Sequence, residues 1–372
     1  MSSRDPWLDN AKMMLVTLVV IGHGWTLLPD GALSDQLYDF VYAWHMPAFV
    51  FVTGYLSRNF DWTGPRMWQL VRTILVPYVL FECLLALFRT YVGGEKLSEL
   101  FLDPHWPVWY LIAVFFWRLA TPAFRAMPGP FAPAALATAI SLLGGFIAFE
   151  HAIYLDLARV LGFLPFFVLG LQATPERLEV LRRPGAQAVA VVVLVGALLG
   201  ARSLDGWAGT DWLYYRSYDA VDASGLDAVL VRGALLVVGV TCALAFLAVV
   251  PRSGGWFTRM GGATLVVYLF HGFAVKGALY AGFDSWAASH ALAGAIVVAL
   301  GGAAVALLLA SPRVAGVLQH AVDPVGYVQR RTTHALDLSM TVAAHEQAPE
   351  LAPELAPELA SVATPSARRR VD

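Results

Sequence analysis

An all-α polytopic membrane fold is what the sequence predicts, with about ten transmembrane helices and both termini in the cytoplasm. Three observations carry this expectation. Of 372 residues, 58% are hydrophobic and only 14% are charged, where a soluble domain holds about a quarter charged residues. The apolar residues gather in runs long enough to cross a bilayer. Basic residues crowd alternate connections between those runs.

The runs lie at roughly 9–28, 38–57, 68–90, 107–125, 132–150, 156–172, 186–204, 226–250, 260–281 and 288–310. The first follows Arg4 and includes Asp9, Asn10 and Lys12. It outlines a secretory leader, but it is long and no small-residue cleavage site follows, so it reads as an uncleaved helix. The second holds His45-Met46-Pro47, and the proline predicts a kink there that aims His45 into a cavity. Thr53-Gly54, later in the same run, offers a small surface for close helix approach. Trp106-Pro107-Val108-Trp109-Tyr110-Leu111 opens the fourth run. Pro165-Phe166-Phe167-Val168-Leu169-Gly170 fills much of the sixth, the shortest. Glycine and proline inside such runs are tolerated where neighbours re-satisfy the freed backbone groups.

With the N-terminus inside, the inner connections carry Arg4, Arg58, Arg66, Arg125, Arg177, Arg182, Arg183, Arg252, Arg259 and Arg313, and the outer ones only Lys96 and Arg216. Trp25, Trp106, Trp109, Trp207 and Trp212 fall near outer edges, where amphipathic rings prefer to lie. The membrane domain is expected over 1–325. Residues 326–372 read as a cytoplasmic, disordered tail, with Ala-Pro-Glu-Leu repeated over 348–359 and arginines at 368–370. No repeat relates the two halves, which disfavours an inverted-repeat transporter. A net charge of −2 leaves no concentrated basic face for nucleic acid. Cys83 and Cys242 both lie in apolar runs, where neither a disulfide framework nor a cysteine metal site can be built from them.

Lys12 and His23 are eleven residues apart, about three helical turns, so they share one face separated by ~16 Å of rise. Charged and titratable groups are expensive inside a bilayer and are functional suspects there. Helix direction puts His45 about as deep as His23, with His271 near mid-depth. Lys12 and Arg72 sit near inner ends, and Glu82, Arg89, Asp156 and Arg159 at mid-depth to outer positions. One buried histidine is as readily an interhelix hydrogen bond. Several at converging depths point to a site.

Together these stretches resemble the acyltransferase-3 family of membrane O-acyltransferases, most closely its fucose 4-O-acetylase-like branch. The resemblance rests on Lys12 with His23, on His45 to Leu56, on Arg72 with Val76-Pro77-Tyr78, and on Trp109, Pro165 to Gly170 and Thr264 to His271. Lysine stands at 12 where arginine is more usual, and threonine at 53 and 264 where serine is usual. It implies transfer of an acyl group, usually acetyl, from cytoplasmic acyl-CoA to a hydroxyl of a surface polysaccharide, lipid-linked glycan or glycosylated metabolite, without a metal. On that reading His23 deprotonates the acceptor or carries the acyl group transiently, and His45 orients it. Lys12 and Arg72 hold the phosphates of coenzyme A. Glu82, Trp109, Arg159 and His271 are the candidates for the acceptor's surroundings. The rival reading is a multi-pass transporter of a small polar or lipid-linked substrate.

Overall fold

Asp5 starts the first helix, α1 (Pro6–Trp25): its carboxylate accepts the Trp7 N–H at 3.0 Å, and proline occupies the first turn, where no N–H is needed. The computed structural model describes residues 5–97, 100–152, 154–329, 331–333, 336 and 339–340. The chain divides into a unit spanning 1–322 and a second spanning 323–372. All regular structure among the described residues is helical. The Ala-Pro-Glu-Leu repeats and the closing arginines lie outside the described residues.

The second apolar run breaks into α2 (Ala32–Tyr42) and α3 (His45–Leu56). The kink expected at Pro47 falls earlier, at Ala43-Trp44. Pro47 sits in the first turn of α3, where it breaks no ladder bond. Next comes α4 (Gly64–Tyr91), widened to a π-turn over Val71–Leu75. Pro77 follows directly and withholds one amide from the ladder, a defect the wider turn absorbs. After it come α5 (Trp109–Ala126) and α6 (Ala132–Gly144). The sixth run is broken: α7 (Leu157–Gly162) and α8 (Leu164–Gln172) belong to segments bent by 53°. The remaining long helices are α9 (Pro184–Gly200), α10 (Gly225–Val249), α11 (Thr264–Tyr280) and α12 (Ala291–Ala310).

Among the described residues, four helices are long and apolar enough to cross a membrane: α4, α9 with its extension to Gly206, α10 and α12. Taking each bent pair as one span raises this to six. The sequence predicts about ten from its apolar runs, and turns divide some of those runs here. Only 6% of the apolar window of α9 and 17% of that of α12 is buried inside the bundle, which suits lipid-facing helices.

α1 packs against α12, α11 and α3. Its start is pinned by Trp7 Nε1 donating to the Leu247 carbonyl at 3.0 Å and by Asn10 Nδ2 donating to the Pro251 carbonyl at 2.8 Å. α3 and α8 cross at two glycines. A Cβ on Gly54 would overlap the Phe167 carbonyl, and one on Gly170 would overlap the Phe51 carbonyl. The two backbones therefore touch, as Thr53-Gly54 suggested. This crossing fixes the helix that carries His45.

Candidate active site

Where α1, α3, α5, α7 and α11 converge lies a cavity of about 290 Å³, lined by His23, His45, Trp106, Trp109, Arg159 and Tyr268 among others. His271 stands behind His23, with its Nε2 2.8 Å from His23 Nδ1. Its own Nδ1 lies 2.5 Å from the Tyr268 carbonyl oxygen. A carbonyl only accepts, so His271 Nδ1 carries the proton and, in the neutral ring, Nε2 carries the lone pair. His23 Nδ1 must then donate to it, which leaves His23 Nε2 as the basic nitrogen. The same reasoning applies to His45, whose Nδ1 donates to the Val41 carbonyl at 2.8 Å across the break between α2 and α3. His271 and His45 are thus held in one tautomer by backbone carbonyls, and His23 by His271.

Aromatic rings hold the imidazoles in place. Trp106 meets His23 edge-on with centroids 4.3 Å apart, and Tyr42 meets His45 at 4.7 Å. Arg159 is ion-paired with Asp156 at 3.1 Å and lies over the Trp109 ring, its Cζ 5.3 Å from the centroid. Trp117 of α5 anchors this corner by donating to the Val160 carbonyl of α7 at 2.8 Å. A hydrogen bond of 2.6 Å between Tyr38 and Tyr214 hydroxyls divides the histidine cavity from a neighbouring one of about 380 Å³, lined by Asp30, Asp35 and Asp205.

Toward the start of α1 lies another cavity, of about 190 Å³, lined by Lys12, Thr53, Tyr110, Arg118 and Thr264. Lys12 Nζ is 2.8 Å from the buried Asp9 carboxylate. Arg118 Nε donates to Ser57 Oγ at 3.2 Å, and among the described residues no carboxylate lines the cavity beside it. Tyr110 lines this cavity and Tyr268 the histidine cavity, with ring centroids 5.6 Å apart. Two tyrosine rings separate the two chambers. The Tyr110 hydroxyl is hydrogen-bonded to that of Thr53.

The structure brings His23, His45, Trp109 and Arg159 to one cavity, sets His271 behind His23, and puts Lys12 in the lower chamber. Two candidates stand apart from both chambers. Arg72 lies in the π-turn of α4 and lines neither. Glu82 is fully buried and accepts from His105 Nδ1 at 2.6 Å, so its carboxylate serves an internal pair. Arg89 is bound to Glu95 through a 2.7 Å bond from Nε. Sequence reasoning passed over Arg118, although an arginine inside an apolar run was a signal to follow. It counted Arg216, which lines the histidine cavity, only as a topology marker. Tyr38, Tyr42 and Tyr214 carried no signal, because tyrosine in such a chain is ordinary packing.

Residues 5–311 match the family model described as an acyltransferase domain, acyltransferase-3. No curated protein and no solved structure matches the chain.

Proposed function

Because the chain belongs to the acyltransferase-3 family and is a membrane acyltransferase, we propose that it moves an acetyl or other acyl group from cytoplasmic acyl-CoA to a hydroxyl of a sugar-containing acceptor. The observation that carries this reading is the hydrogen-bonded chain from the Tyr268 carbonyl through His271 to His23. It leaves a basic nitrogen on a ring whose orientation is fixed, which is what a weakly nucleophilic hydroxyl needs.

In the proposed reaction His23 Nε2 takes the proton of the acceptor hydroxyl as its oxygen attacks the thioester carbon. The C–O bond forms, the C–S bond breaks, and the proton passes to the departing thiolate. In a two-step variant Nε2 attacks the thioester carbon and the C–S bond breaks to release the thiolate; the acceptor oxygen then attacks the acyl-imidazole, the C–N bond breaks, and the acceptor's proton passes to the thiolate. Either way His271 holds the His23 ring and bears part of the positive charge that develops on it. His45 stands across the Tyr42 ring, 6.5 Å from His23 and 4.7 Å from His45 by centroids, where it helps orient the donor carbonyl or the acceptor.

The lower chamber suits the donor. Arg118 and Lys12 offer positive charge to coenzyme A phosphates, and the ~16 Å rise from Lys12 to His23 is of the order of a pantetheine arm's length. Lys12 is already compensated by Asp9, so Arg118 is the stronger attraction of the two. The acceptor, a surface polysaccharide, lipid-linked glycan or glycosylated metabolite, approaches by the opposite mouth, between the rings of Trp106, Trp109 and Tyr42. In membranes supplied with labelled acetyl-CoA, coenzyme A thiol is released only when an acceptor is present, and an alkali-labile label appears on that acceptor. His23→Ala abolishes both. Retained turnover in that variant would sink the assignment, and a transporter would leave acetyl-CoA unconsumed.

A further inference from the structure

We propose that the acceptor sugar is acidic, and that Arg159 and Arg216 form the subsite that holds its carboxylate or phosphoryl group. This rests on the acyl-transfer reading above, and it names the class of acceptor that reading leaves open.

The charge of the histidine cavity is one-sided. Among the described residues, two arginines and two histidines line it and no carboxylate does. Arg159 is buried, yet Asp156 occupies only its Nη1, at 3.1 Å, and a guanidinium has five N–H donors in a planar fork. Arg216 is exposed at the mouth; Asp156 and Asp211 lie near enough to act on its charge, but Asp156 is ion-paired to Arg159 rather than to it. Both guanidiniums face one ring, that of Tyr214, with Cζ 5.7 Å and 5.4 Å from its centroid. Two cations around one ring repel each other, and an anion between them removes that cost.

The backbone holds both arginines by means it rarely uses. Leu155 and Asp156, just before α7, have φ of 54° and 52°, and Tyr215, just before Arg216, has φ of 55°. Non-glycine residues in this left-handed region cost on the order of 1 kcal/mol or more each and persist where the surroundings demand them. Leu155 is tied down by its N–H donating to the Leu102 carbonyl at 2.5 Å. Strain at both supports of one charged pair marks a placement the fold maintains.

The ring of Trp106, half-buried in the same cavity, gives a sugar face something to lie on while its acidic substituent meets the fork. Beyond the Tyr38–Tyr214 pair, Asp30, Asp35 and Asp205 repel an anion and confine it to the arginine side. Anion, sugar face and reacting hydroxyl thus have separate places in one cavity.

Binding is measured without turnover, by the tryptophan fluorescence of the purified full-length protein in nanodiscs. Trp106 and Trp109 line the cavity and report its occupancy. Methyl glucuronide is expected to bind at least tenfold more tightly than methyl glucoside, and added salt erodes the difference. Arg216→Gln brings the ratio close to one, whereas Arg216→Lys keeps most of the preference. The glutamine variant retains the backbone carbonyl that accepts from Arg232, so folding is preserved. Glucuronide binding no tighter than glucoside, or an undiminished ratio in Arg216→Gln, overturns the proposal. Discrimination without any acetyl-CoA consumption would leave the subsite standing and remove acyl transfer instead.

Discussion

A histidine in an apolar helix is a strong base only if its hydrogen bonds leave the right nitrogen bare. His271 arranges this for His23 by donating to one group and accepting from another, and glutamine can do the same through its amide. His271→Leu is therefore expected to lower kcat about a hundredfold with the KM for acetyl-CoA unchanged, while His271→Gln retains most activity; steady-state kinetics in nanodiscs decides. The two basic residues of the lower chamber should separate cleanly. Arg118→Gln raises the KM for acetyl-CoA roughly tenfold to a hundredfold, from loss of a charged hydrogen bond worth about 1.5–3 kcal/mol. Lys12→Gln instead strands the Asp9 carboxylate and lowers the melting temperature, at a cost of about 1–3 kcal/mol. The facing of Lys12 and His23 was legible because helix geometry fixes it over eleven residues. The partner of His23 was not, because it arrives from 248 residues away, and its depth alone could not distinguish a bonded neighbour from a second wall of the cavity.

At the scale of elements, polar residues and turns cut the apolar runs into shorter pieces than composition implies. The break before His45 is the instructive case. Pro47 marked the correct neighbourhood, but the chain bends two residues ahead of His45 and uses the proline to begin the next helix. The Arg72 stretch reads from sequence as regular helix, and only the ladder shows the π-turn before Pro77. Gly54 was visible as a close-approach residue, whereas its counterpart Gly170 looked like one more small residue in an aromatic segment. Gly54→Ala is expected to cost more than about 3 kcal/mol, beyond ordinary core overpacking, because the obstructing atom is a carbonyl oxygen of α8. Thermal melting and the yield of detergent-stable protein test this. Any loss of activity should follow the loss of fold.

For the whole membrane unit, α4 and α11 are tied by Glu95, which accepts from Arg89 at 2.7 Å, from Lys276 at 2.9 Å and from Tyr280 at 2.5 Å. Partial burial pushes the Glu95 carboxyl up, but the bonds from Lys276, Tyr280 and Arg89 outweigh it and hold the pKa at about 2. The folded value lies below the unfolded one near 4.3, so the contribution is full above that pH and is lost as pH falls toward 2. Melting temperature should therefore drop more steeply between pH 5 and 2 in the native protein than in Glu95→Gln, and equal slopes would remove the link. Composition made the membrane class plain, and the motifs made the family plain. How many times the chain crosses was not legible, because crossing depends on where helices end.

The tyrosine pair between the chambers has a consequence for the cell rather than for the chemistry. An enzyme that takes its donor from one side of a bilayer and its acceptor from the other risks becoming a pore, and a continuous water column would let protons run down the membrane potential. Tyr110 and Tyr268 meet edge to face between the chambers and fill that space with aromatic carbon. On the proposed reading, the acylated arm of the donor passes between these rings and fills the gap it opens. If donor and acceptor meet there as proposed, the protein moves a chemical group past the rings without offering ions a wet path through it.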